Sequence, residues 1–127
     1  MKVGDQIPEL KVTPDSGQTT RYKDASGDPN PIHVDEDFAK SVGLPGVILH
    51  GLYTMAQVAR ASNAAVGSDP RKLKRLAVQF RGMGFPEQEI TVTGTVVEER
   101  DGRAVVDTVA EQGGNQIIRN AQAEIQL

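Results

Sequence analysis

A chain of 127 residues has room for one hydrophobic core and not for two, so residues 1–127 are read as a single domain. Fourteen Lys and Arg against 17 Asp and Glu give a formal net charge of −3 with no block of like charge, which excludes the electrostatic footprint of a nucleic-acid or anionic-membrane binder. There is no cysteine, and this removes disulfides, thiolate nucleophiles and cysteine-based metal sites.

The opening residues, MKVGDQIPEL, lack an apolar signal core, and no run approaches membrane-spanning length. A soluble protein of the reducing cytoplasm is expected. The first informative stretch is SGDPNPIHVD, Ser26 to Asp35. Pro29 and Pro31 fix their own φ and push Asp28 and Asn30 toward extended backbone, which predicts no helix between Asp28 and His33. Held in such a segment, a carboxylate and an imidazole can share one substrate as base and acid. The Asn30 amide can fix the bend by a local hydrogen bond. The same residues also suit a plain loop in which Asp28 caps and His33 is structural.

Asp35 is placed to N-cap a short helix carrying Phe38, Ala39 and Val42, with Gly43 closing it. After a Gly-Leu-Pro-Gly break, a longer helix is predicted from His50 or Gly51 to about Ala65, with Leu52, Met55, Ala56, Ala59 and Asn63 along its buried stripe. Its many alanines suit close approach by a curved sheet. Gly51 at the helix start offers an unobstructed N–H where the helix dipole is positive, a place for an oxyanion or simply for a turn. His33 and His50 lie seventeen positions apart without HxH or HExxH spacing, so no metal site is assigned.

The basic stretch Arg71 to Arg75 reads as a solvated strand entrance. Beyond it apolar residues recur at every second position: Leu76, Val78 and Phe80, then Ile90, Val92 and Val96, then a strand from Ala104 to Ala110. Asp101-Gly102 suits a type I′ hairpin turn, and Gly113-Gly114-Asn115 makes the next one. In the last strand Ile117, Ala121, Ala123, Ile125 and Leu127 share one parity, with Arg119 the exception. One face buried and one wet describes an antiparallel sheet, hence an α+β fold.

Taken together and in order, Tyr22, Ser26-Gly27-Asp28, Asn30-Pro31-Ile32-His33, Ala39, Gly43 and His50-Gly51 resemble the hydratase motif of the MaoC-like, (R)-specific enoyl-CoA hydratase family. Leu76 to Arg81 resembles the family more loosely. The resemblance implies a hot-dog fold, an antiparallel sheet wrapped around one long helix. It implies a hydro-lyase that adds water reversibly and syn across a trans-2-enoyl thioester, giving the (R)-3-hydroxyacyl thioester, or dehydrates in reverse.

By that resemblance Asp28 activates water and His33 orients it and supplies or relays the proton gained at C2. The Gly51 N–H holds the thioester oxygen, while Asn30, His50 and Tyr22 support the site. The substrate is an acyl-CoA or acyl-carrier-protein thioester, and no cofactor is expected. Hot-dog chains of this length pair side by side, so a homodimer is expected, with a heterodimer of two hot-dog chains as the alternative. A non-catalytic acyl-thioester-binding subunit and a thioesterase are the competing functions; intact Asp28 and His33 favour hydration. The chain departs from the family pattern at Thr19, Thr20 and Lys23, in the Gly82–Glu87 loop, and at Ala59, where some members place a serine.

Overall fold

The computed structural model describes residues 1–127. In chain order it holds β1 (Leu10–Val12), α1 (Gln18–Ser26), a 3-10 turn (Pro31–His33) and α2 (Glu36–Ser41). Then follow α3 (Gly51–Ala64), a second 3-10 turn (Pro70–Lys72), β2 (Leu73–Phe80), β3 (Ile90–Arg100), β4 (Arg103–Gln112) and β5 (Asn115–Gln126). The strands form one sheet in the order β1-β3-β4-β5-β2, every pair antiparallel. The sheet wraps α3, which is the hot-dog architecture expected.

Local chemistry explains the long hairpins. Asp101 and Gly102 sit at φ +52° and +74°, and Gly113 and Gly114 at +58° and +79°, so both β3–β4 and β4–β5 are closed by turns with two left-handed residues, as type I′ requires. On β3 the alternation is strict: Ile90, Val92, Gly94 and Val96 are buried while Thr91, Thr93 and Thr95 are partly exposed.

Ahead of Asp28, where no element is assigned from the sequence, the structure adds β1 and α1, and three expectations need correction. The α1 sequence, QTTRYKDAS, has no apolar stripe to announce it. The segment from Asp28 to His33 is not free of helix either, because Pro31 opens a single 3-10 turn. Proline's fixed φ suits the first helical position, so Pro29 and Pro31 exclude only a longer helix.

The buried stripe of α3 is Thr54, Gln57, Val58, Ala61 and Ser62, displaced from the one expected. Leu52 is 61% exposed, and Ala56 is exposed as well. Thr54 and Ser62 can face inward because their hydroxyls donate back to the Gly51 and Val58 carbonyls, at 2.7 and 2.8 Å. On β2, Phe80 is 50% exposed although it pairs in register with the buried Ile118; its ring lies against Gly51 at the start of α3 and not over the core.

Candidate active site

Two passes of the chain build the site. The first leaves α1 through Gly27, left-handed at φ +74°, whose N–H donates to the Lys23 carbonyl at 2.8 Å. A side chain there would be strained, and the reversal it permits aims Asp28 back across the domain. Two local bonds then lock the Pro-rich segment. Asp28 Oδ1 accepts from the Asn30 N–H at 3.1 Å, and Asn30 Oδ1 accepts from the Ile32 N–H at 3.2 Å. The bend is thus held by Asn30 as the sequence suggests, and the turn carries His33 inward to 8% exposure.

The second pass returns from α2. Asp35 caps that helix by accepting from the Phe38 N–H at 3.0 Å, and Gly43 closes it at φ +92°. The Ile48 N–H donates to the Ile32 carbonyl at 3.2 Å and the Leu49 N–H to the Gly84 carbonyl at 2.8 Å, so residues 48–50 lie directly on the first pass. His50, the N-cap of α3, ends that segment.

The result is a compact cluster. One carboxylate oxygen of Asp28 and one ring nitrogen each of His33 and His50 lie within 4.8 Å of one another. The His33 Nδ1–H donates to the Ile48 carbonyl at 2.7 Å, which leaves Nε2 of the neutral ring as a free acceptor. The His50 ring stacks on His33 with centroids 3.8 Å apart, and Tyr22 covers its other side at 4.6 Å. His50 is buried, neither of its nitrogens has a hydrogen-bond partner, and Nε2 stands 4.0 Å from Asp28 Oδ2. Burial, and then the neighbouring His33, hold its pKa below the ordinary histidine value against the pull of Asp28.

The spacing of seventeen residues conceals that His33 and His50 touch. What joins them is the long-range bonding of Ile32 to Ile48, which no local pattern announces. The three side chains also form a potential ligand set. Imidazole lone pairs lie in the ring plane, however, and two rings stacked with planes 23° apart do not converge on one ion as placed. The His33 Nδ1 is in any case already engaged.

Gly51 follows directly and opens α3, so its N–H and that of Leu52 have no partner four residues back. A Cβ on Gly51 would stand 3.1 Å from the Phe80 ring, so glycine is what lets the end of β2 close over this helix start. Asp28 is the accessible member of the cluster, its side chain 43% exposed against 3% for His50. The arrangement provides a solvent-reached carboxylate, a free imidazole nitrogen and a helix N-terminus side by side. Three open grooves mark the surface, and none is lined by Asp28, His33 or His50.

Comparison with known proteins agrees with this fold. The family model described as a MaoC like domain matches residues 2–116. The fatty acid synthase beta subunit hexB of Dothistroma septosporum is 35% identical over 86% of this chain, which spans only 6% of that protein. The enoyl-CoA hydratase ChsH3 of Mycobacterium tuberculosis is 33% identical over 83% of this chain and 36% of its own length. A solved MaoC-like dehydratase superposes on all of this chain and on 41% of its own, with a TM-score of 0.94 and 31% identity.

Proposed function

We propose, from the premise that this chain belongs to the MaoC-like family, that residues 1–127 are one hot-dog domain that reversibly hydrates trans-2-enoyl thioesters to (R)-3-hydroxyacyl thioesters. The observation that carries this reading is the juxtaposition of Asp28 and His33 beside the free helix N-terminus at Gly51. A water that donates at about 2.8 Å to two acceptors at its tetrahedral angle holds them about 4.6 Å apart. One carboxylate oxygen of Asp28 and one ring nitrogen of His33 lie within 4.8 Å of each other, inside the reach of such a bridge.

In this scheme one water hydrogen goes to Asp28 Oδ2 and the other to His33 Nε2, which turns an oxygen lone pair toward C3 of the substrate. C3–O and C2–H form while one O–H of water and the C2=C3 π bond break. The released proton passes to C2 on the same face, with His33 relaying it, since its own Nδ1–H is committed to Ile48. Negative charge develops on the thioester oxygen as the enolate forms, and the Gly51 N–H with the α3 dipole stabilises it. No step draws on a cofactor. Tyr22 and His50 position His33 by stacking, and Asn30 holds Asp28 in place.

The setting assigned to this activity is the cytoplasm; no helix is long and apolar enough to cross a membrane. The working form is a pair of hot-dog folds, two copies of this chain or one with a related chain. An acyl tail at Asp28 takes one wall from that second fold.

The test is loss of the conjugated enoyl absorbance of crotonyl-CoA, followed by chiral analysis of the product. Asp28→Asn keeps the oxygen that accepts from Asn30 and loses the base. It and His33→Ala should each retain the far-UV spectrum and lose about two or more orders of magnitude in turnover. Full activity in either variant overturns the mechanism.

A further inference from the structure

A bulge in the last strand puts an arginine where strict alternation would bury it. On β5, Ile117 and Ile118 are both buried, Arg119 and Asn120 are both exposed, and Ala121 is buried again. Asn120 adopts φ +50°, left-handed backbone in mid-strand, and the ladders to β2 and β4 both slip at this point. Asparagine tolerates that region better than most residues, and a bulge of this kind re-aims a side chain.

The re-aimed Arg119 shares a groove of about 480 Å³ with Arg81, Gly82, Met83, Asn115 and Gln116. Gln79, which pairs in register with Arg119, organises the edge of this patch. Its Oε1 accepts from Asn120 Nδ2 at 2.9 Å and from Arg81 Nε and Nη2 at 3.2 and 2.9 Å. The Arg81 guanidinium is therefore held while keeping donors free.

Of the four arginines without a carboxylate within ion-pair distance, Arg60, Arg81, Arg103 and Arg119, two share this groove. Arg21 pairs with Asp15, Arg71 with Asp69, and Arg75 and Arg100 with Glu124. Arg81 and Arg119 have no carboxylate within ion-pair distance, and no acidic residue lines the groove, in a chain whose net charge is −3. The groove also adjoins the site. The Phe80 ring lies against Gly51, the Arg81 N–H donates to the Ile117 carbonyl at 3.0 Å, and the Gly84 carbonyl accepts from Leu49.

We infer that Arg81 and Arg119 form the subsite for the phosphate groups of the coenzyme A portion of the thioester. Guanidinium forks match phosphate oxygens bidentately, and the Asn115 and Gln116 amides add neutral donors at the rim. The inference rests on the acyl-thioester reading above and fixes the carrier as coenzyme A.

The experiment pairs kinetics with direct binding. Removing both guanidinium groups by Arg81→Ala/Arg119→Ala should raise KM for crotonyl-CoA by about tenfold or more, as for charge-assisted hydrogen bonds. The same variant should change kcat/KM for crotonyl-pantetheine, which has no phosphate, by less than about twofold. Adenosine 3′,5′-bisphosphate should bind the unmodified protein saturably, more weakly at high salt, and not bind the double variant. The single variant Arg119→Gln should fall between, and Arg103→Ala, at the opposite hairpin end, should bind normally.

Equal losses with both thioesters, or bisphosphate binding indifferent to the two arginines, would overturn the subsite. Equal kcat/KM of the unmodified protein on both thioesters would remove the subsite and leave the hydratase reading standing. Bisphosphate bound through these arginines by a protein that hydrates neither thioester would do the reverse.

Discussion

A neutral, unpartnered histidine stacked on His33 and covered by the tilted Tyr22 ring makes stability depend on pH in a definite direction. The groups that face His50 are Asp28, His33 and the Tyr22 ring, with Tyr53 behind Tyr22 at 6.3 Å. Its folded-state pKa lies below the unfolded value of 6.5, burial being the largest cause. The unfolded chain therefore takes up this proton first as the pH falls, and the native state loses stability from about pH 7 downward. Above that range the group is neutral in both states and contributes no slope. His50→Gln removes the titration and keeps a planar polar group. Its melting temperature is expected to fall less than that of the unmodified protein between about pH 7.5 and 5. Parallel melting curves for the two would show that His50 is not the titrating group.

At the scale of elements, Gln112 at the end of β4 anchors the loop from Gly82 to Gln88. Its buried side-chain amide accepts from the Phe85 N–H at 2.7 Å and donates to the Phe85 and Gln88 carbonyls at 2.8 and 3.0 Å. Gln112→Leu leaves these backbone groups without partners and should cost about 1–3 kcal/mol, with faster hydrogen exchange at Phe85. Unchanged protection of Phe85 would show that the loop is held elsewhere. The loop departs from the family's usual pattern in sequence, and this side chain, 24 to 27 residues away, anchors its Phe85–Gln88 end, while the Leu49 N–H holds the Gly84 carbonyl and the Glu87 N–H donates to the Pro14 carbonyl. The same division runs through the chain. Asp35, Asp101-Gly102 and the Pro-Asn-Pro segment declare themselves because capping and turn chemistry are local. The α1 helix does not, for its residues carry no apolar period and tertiary contacts decide it. The Arg119 exception in the β5 alternation is legible in the sequence, but its cause is a bulge set by two neighbouring strands.

On the whole molecule the sheet has two unlike edges. The β1 edge is three residues long, a length that limits edge-to-edge pairing, whereas β2 presents eight residues along an open edge. At the end of β2, Phe80 and Met83 are 50% and 46% exposed, and Leu52 on the uncovered side of α3 is 61% exposed. An extended edge flanked by apolar side chains suits pairing, and it is where the proposed second fold is placed. The chain alone at micromolar concentration is therefore expected to sediment at twice its mass of 13.6 kDa. Leu52→Glu should shift it toward the monomer and lower activity in proportion, while retaining the far-UV spectrum, because the new charge is desolvated only at the interface. A monomer at every concentration that nonetheless hydrates crotonyl-CoA would show that one fold completes the site. A monomer that hydrates it only after a second hot-dog chain is added would assign the pair as heteromeric. In either case Asp28 and His33 come from one chain and are positioned by contacts within it, so Asp28→Asn tells whether this chain or the added one carries the chemistry.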